Sequence, residues 1–114
     1  MILELVEFNS PKGWCRRQVA EVARNVIPKW RANKELLRKH FLLELDGKTG
    51  AGVYIWPSVE AAQKAHNEEW RQSAIKRTGG APTIRYFDLF LLIDNENGAV
   101  TEFPEAAEIQ SAAA

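Results

Sequence analysis

The sequence predicts an α+β domain of order βαββαβ, a four-stranded antiparallel sheet with two helices on one face. Three observations predict it. Residues 2–8, 36–45, 51–56 and 83–93 are apolar stretches rich in β-formers, bounded by turn residues, and read as strands. Val19, Val22, Ala23, Val26 and Ile27 recur at i, i+3, i+4, i+7 and i+8, the stripe of an amphipathic helix. Ser58 caps a second helix that leaves the third strand directly and runs from Val59 through Trp70.

Taken in order, Ile2 to Phe8 is strand one. Ser10-Pro11 signals a helix start, which Gly13 delays to about Trp14. Pro28 has no N–H for the carbonyl four residues back, so the first helix ends or kinks there. Strands two and three, Leu36 to Leu45 and Ala51 to Trp56, are joined through Asp46-Gly47, the signature of a hairpin. With the turn centred near Lys48, Phe41 lies opposite Trp56 and Leu43 opposite Tyr54. One face then carries Lys39, Phe41, Leu43, Tyr54 and Trp56, and the other Arg38, His40, Leu42, Glu44, Val53 and Ile55. In the second helix Ala62, His66 and Trp70 share a face at i+4 steps. Asn67-Glu68-Glu69 has the form of a fresh start, so that helix breaks and resumes, ending at Thr78-Gly79-Gly80. Thr83 to Ile93 is strand four, closed by the turn Asn95 to Gly98. Residues 1–103 form the domain, and the alanine-rich 104–114 a flexible or short helical tail.

At 114 residues there is chain for one core. Fifteen basic residues balance fifteen acidic ones, so no global field draws nucleic acid or an anionic membrane. The basic cluster from Lys29 to Lys39, interrupted by Glu35, reads as exposed ends around a strand. Cys15 is alone, the N-terminus meets charge at once, and no apolar run approaches the roughly 18 residues of a spanning helix. The expected location is the cytoplasm. Two helices cover one sheet face, yet strands two to four are apolar or aromatic on both. A second copy packed across a two-fold axis would bury the remainder, so a homodimer is expected.

Gly52-Val53-Tyr54-Ile55-Trp56, followed by Ser58 and an alanine-bearing helix, resembles the central motif of the dimeric α/β-barrel proteins. These include the antibiotic-biosynthesis monooxygenases and, closer still, the YdhR-like monooxygenase group. Leu36-Leu37-Arg38-Lys39 and Tyr86-Phe87-Asp88 are similar to that group too, and the likeness covers residues 1–95. It implies a ferredoxin-like protomer, dimerisation into a barrel, and a small apolar pocket between sheet and helices. It fixes no activity, because the fold hosts oxygenases, isomerases, haem-degrading enzymes and stress proteins. The haem-degrading branch carries a Trp in the second helix and a His shortly after. Here those places hold Ala65 and Ile75, which argues against haem chemistry.

His40 and His66 are the candidate catalytic bases, since an imidazole near neutral pH can take the proton of a phenol or enol. Their competing roles are a surface or core-satisfied histidine for His40 and a helix-flank histidine for His66. Tyr54, Trp56, Trp70 and Tyr86 are the candidate substrate-binding residues, able to stack on a planar ligand and donate from hydroxyl or indole. With Trp14 and Trp30 they also compete for core and interface packing. The two histidines lack metal-ligand spacing and Cys15 adds no third ligand; Cys15 is expected to pack. No glycine-rich phosphate loop or nucleophile elbow occurs, so no metal and no cofactor are expected. The functional expectation is a cofactor-independent monooxygenase on a small hydrophobic aromatic or enolisable substrate; an isomerase or lyase working through an enolate needs the same parts. The alternative is a non-catalytic dimeric ligand-binding or structural module, because neither histidine has a carboxylate orienter in the local sequence.

Overall fold

The computed structural model describes residues 1–106. Its elements are β1 (Ile2–Asn9), α1 (Arg16–Asn25), α2 (Ile27–Ala32), β2 (Arg38–Leu43), β3 (Thr49–Trp56), α3 (Val59–Ala65), α4 (Glu68–Thr78), β4 (Thr83–Asp88), β5 (Leu91–Asp94) and β6 (Ala99–Glu102). Strands β2, β3, β1 and β4 form one antiparallel sheet in that order, the ferredoxin-like arrangement. The tail expected beyond residue 103 lies mostly outside the described residues; Ala106 still packs in the core.

The breaks in the helices have local causes. Gly13, at φ 83°, turns the chain before α1, and the Gln18 side chain accepts from the Cys15 N–H at 2.8 Å. Helix α1 thus begins at Arg16, slightly later than the sequence suggests. Pro28 sits in the first turn of α2, where its missing N–H costs nothing, and Val26 joins the two helices. Ser58 caps α3 by accepting from the Ala61 N–H, and Asn67 caps α4 by accepting from the Trp70 N–H. Gly79, at φ 82°, ends α4 in the left-handed conformation.

The β2–β3 hairpin has the expected faces and a different register. Lys39 pairs with Tyr54, and Phe41 with Gly52. The turn centres on Asp46-Gly47 rather than Lys48: Gly47 takes φ 76° and donates to the Glu44 carbonyl at 2.7 Å. The shift is even in residues, so no side chain changes face. Two glycines of β3 allow close approaches: a Cβ at Gly50 would stand 2.6 Å from the Phe8 ring, and one at Gly52 2.9 Å from the Tyr54 ring.

The expected fourth strand divides in two. Strand β4 pairs with β1 only to Ile2↔Asp88, and the last bond runs from the Leu89 N–H to the Met1 carbonyl. The chain turns away, and β5 pairs with β6 as a separate ribbon, an extra strand the sequence reading missed. Asp94 and Gly98, at φ 73°, build its turn.

The core lies between the sheet and α3. Ile2, Glu4 and Val6 of β1 and Tyr54 and Trp56 of β3 face the helices, with Ala61 and Ala62 of α3 and Trp30 of α2 packed among them. Small residues on α3 let it sit close to β3. Helix α1 differs: it has no buried residue, and Val19, Val22, Ala23 and Val26 are only half-buried. It stands off the sheet, and the space beneath it is a cleft.

Candidate functional site

Strand alternation puts Glu4, from the middle of β1, on the helix side between Ile2 and Val6, where the carboxylate is wholly buried. The break between α3 and α4 drops His66 onto it: Nδ1 lies 2.8 Å from Glu4 Oε1, and both side chains are sealed from solvent. The Trp56 indole N–H donates to the same oxygen at 2.9 Å. The imidazole meets Oε1 at ion-pair distance but off the line of a hydrogen bond, and Glu4 Oε2 and His66 Nε2 have no protein partner. Around the imidazole stand four aromatic rings: Trp70 at 4.3 Å between centroids, Tyr54 at 4.5 Å, Trp30 at 5.3 Å and Trp56 at 6.3 Å.

Tyr54 joins this buried centre to a second one. Its hydroxyl accepts from the Lys39 ammonium at 2.6 Å. Lys39 Nζ sits over three rings, Phe41 at 4.1 Å, Tyr54 at 4.2 Å and Trp30 at 4.5 Å from the centroids. Burial, then the nearby charges of Lys29 and Arg77, push the amine down to about 7, with Glu4 opposing weakly. Burial and the Glu4 charge push the Tyr54 phenol well above its usual value, so it stays a neutral hydroxyl.

The cleft under α1 has a volume of about 1380 Å³ and is lined by Trp14, Trp30, Lys39, Phe41, Tyr54 and Trp70 among others. It is a large aromatic cavity with the Lys39 amine and the Tyr54 phenol side by side on its wall.

Of the residues singled out in the sequence, Tyr54 and Trp70 line this cavity. His66 and Trp56 lie behind them, within the Glu4 centre. Tyr86 pairs with Glu4 across β1 and β4, half out of the protein; burial and the Glu4 charge push its phenol up to about 12. His40 is not brought to the group: it pairs with Val53, is exposed, and lies on the opposite sheet face from Tyr54. Cys15 is exposed rather than packed, at the start of α1, where the Gln18 and Arg17 backbone amides draw its thiol below the usual value.

Sequence reasoning missed Glu4 and Lys39. Each left a signal, a charged residue on an otherwise apolar strand face: Glu4 between Ile2 and Val6, Lys39 beside Phe41, Tyr54 and Trp56. The carboxylate orienter of His66 is 62 positions away along the chain and becomes its neighbour only through the sheet.

No protein-family profile matches the sequence, and no curated protein matches it. Comparison of folds is informative. A monooxygenase from the gene ActVA-Orf6 of Streptomyces coelicolor, solved in complex with nanaomycin D, superposes with a TM-score of 0.59 at 17% identity, over 75% of this chain and 84% of its own. An antibiotic biosynthesis monooxygenase gives a TM-score of 0.60 at 14% identity, over 77% and 97%. Rv0793 from Mycobacterium tuberculosis gives 0.57 at 11%, over 76% and 93%. Identities this low speak for the fold alone: the chain has the ferredoxin-like fold of the antibiotic biosynthesis monooxygenases.

Proposed function

We propose that this protein is a cofactor-independent monooxygenase acting on a small aromatic or enolisable molecule held in the cleft under α1. The observation that carries the reading is the pairing of Lys39 with Tyr54 on the wall of an aromatic cavity. An amine with its proton affinity brought near neutrality is suited to take a proton from an acidic phenol or enol. The resulting oxyanion would pair with the Lys39 ammonium, with the Tyr54 hydroxyl beside it as a donor. In such chemistry the substrate anion is the reductant. A ring CH₂ becomes a carbonyl, one atom of dioxygen stays in the product, and the other leaves as water.

The base proposed from sequence shifts accordingly. His66 is sealed behind Tyr54 and Trp70, so its role is to hold Glu4 and the aromatic cage, while Lys39 meets the substrate. That the Streptomyces coelicolor monooxygenase was solved with nanaomycin D supports an aromatic ligand of this general kind. The closer kinship with the YdhR-like group belongs to the same reading, on the strength of Gly52 to Trp56.

A homodimer is part of the proposal. The open face of the sheet carries Leu3, Leu5, Val53 and Phe87, and the β5–β6 ribbon exposes Phe90, Ile93 and Val100, each at 64–68%. A two-stranded ribbon so apolar is marginal alone and suits burial against a second copy. A single monomeric species by analytical ultracentrifugation at micromolar concentration would remove that part.

Catalysis is tested by oxygen uptake with anthrone or a quinol. Wild-type protein should consume oxygen, Lys39→Met should lose about 10²-fold or more of the rate, and His40→Ala should be near wild type. Uptake unaffected by Lys39→Met would dispose of the proposed base. No uptake from any such substrate would favour the ligand-binding module.

A further inference from the structure

Three cations of the cleft wall have no counterion among the described residues, whereas Lys64 on the same wall pairs with Glu60. Lys29, Lys39 and Arg77 come from α2, β2 and α4 and all line the cleft. Lys29 and Lys39 lie over the same indole, Trp30, at 5.1 and 4.5 Å from its centroid, and Arg77 is close enough for its charge to act on both Lys39 and Tyr54. The ion pairs among the described residues are Lys64–Glu60, His66–Glu4, Arg71–Glu68 and Arg85–Glu7, so none of the three cations is in one. Glu4 faces Lys39 from β1, but it is committed to His66 and Trp56 and is the weakest influence on the amine. Tyr54, facing it from β3, is a neutral hydroxyl. The acidic residues on the cavity wall, Glu44, Asp46 and Glu69, pair with none of these cations.

Positive charge gathered on an aromatic wall without a protein anion is costly for the empty protein and is relieved by an anionic guest. We propose that the cleft is a binding site for aromatic organic anions, with the ring against Trp30 and Tyr54 and the anionic oxygens on Lys39 between Lys29 and Arg77. This rests on the reading of the cleft as a small-molecule site and narrows the substrate to acids. A phenol or enol enters the same state by passing its proton to the Lys39 amine; a carboxylate enters it already ionised, on the ammonium form. Either way the bound pair is oxyanion and ammonium, and the guest's charge holds the proton on Lys39.

The test compares two probes of one shape, 2-naphthoate and 2-naphthamide, by calorimetry or tryptophan quenching at about pH 6, where Lys39 is mostly protonated. The carboxylate should bind at least ~10-fold tighter than the amide. Lys39→Met should bring the two within ~3-fold, Arg77→Met should reduce the preference in part, and Lys76→Met on the same helix should leave it intact. Raising the pH to about 9 should erode the preference, because the Lys39 amine loses its proton. Equal binding of the two probes, or a preference that survives Lys39→Met, overturns the anion site and leaves the aromatic cavity standing. Binding of neither probe overturns the cavity reading and the anion site together.

Discussion

One sheet face is treated in two ways. Under α3 it is closed: Ala61 and Ala62 bring the helix close, and Glu4, His66 and Trp56 are fully enclosed. Under α1 it is open: an amphipathic helix buries no residue and leaves about 1380 Å³ beneath it. Both halves hold a charged group among aromatic rings. In the closed half Glu4 Oε1 meets His66 and the Trp56 N–H, while Glu4 Oε2 and His66 Nε2 have no protein partner among the described residues. In the open half Lys39 donates to the neutral Tyr54 hydroxyl and lies over three rings, with no carboxylate of the described residues in an ion pair with it. The difference separates scaffold from site: a charge enclosed with an oppositely charged or polar neighbour holds the fold, and a cation on a cavity wall with no carboxylate paired to it suits a ligand.

The strongest way to break this contrast is to remove Glu4. Glu4→Ala leaves the His66 ring and the Trp56 N–H buried without their acceptor, and should cost about 3–5 kcal/mol in urea unfolding. Glu4→Gln keeps an acceptor for Trp56 and should cost distinctly less. A loss under ~1 kcal/mol for Glu4→Ala would mean the closed half does not depend on its polar centre.

Lys39 should respond in the opposite sense. Folding lowers its proton affinity from the ordinary lysine range to about 7, through burial first and then Lys29 and Arg77. Below about pH 7 both folded and unfolded chains carry the proton, and the folded one bears the full penalty. Between about 7 and 10 only the unfolded chain holds it, so stability rises with pH across that window. Lys39→Met removes the penalty and also the cation–π contacts that offset part of it. The variant should therefore be more stable than wild type at about pH 6, by about 2 kcal/mol, with the gap closing towards pH 10. Thermal melts at several pH values read this directly. A variant less stable than wild type at low pH would show that Lys39 is satisfied by the protein, and the contrast with Glu4 would be lost.

What the sequence made legible follows the range of the interactions involved. The Ser58 cap, the break at Asn67, the Gly79 ending and the two faces of the β2–β3 hairpin depend on residues within a few positions and could be read, whereas the first helix is capped at Cys15 and not at Ser10. The end of β4 at Asp88 could not be read, because it is set by the pairing with β1 across the sheet, about 80 positions away along the chain. The same holds for the site. Tyr54, Trp70 and His66 stand out by residue type, whereas Glu4 matters to His66 only because β1 lies at the sheet centre beneath α3. Periodicity puts Lys39 on the Tyr54 face, yet nothing local shows that α1 stands away and leaves its amine on a cavity wall.

The smallest expected effect falls on the boundary between the halves. Trp70 lines the cavity and also meets His66 edge-on at 4.3 Å between centroids, so it belongs to both. Its backbone N–H is held by the Asn67 side chain at 2.9 Å, the cap that starts α4 afresh after His66. Asn67→Ala frees that N–H and loosens the first turn of α4, and should cost about 1 kcal/mol of stability. If the closed half bears the fold and the open half only binds, the loss should appear in urea unfolding while 2-naphthamide affinity at the cavity changes by less than ~2-fold. An affinity that falls in step with stability would show that the cap sets the cavity wall as well as the core. The two halves would then be one unit, with Trp70 as the residue through which the packed centre shapes the binding site.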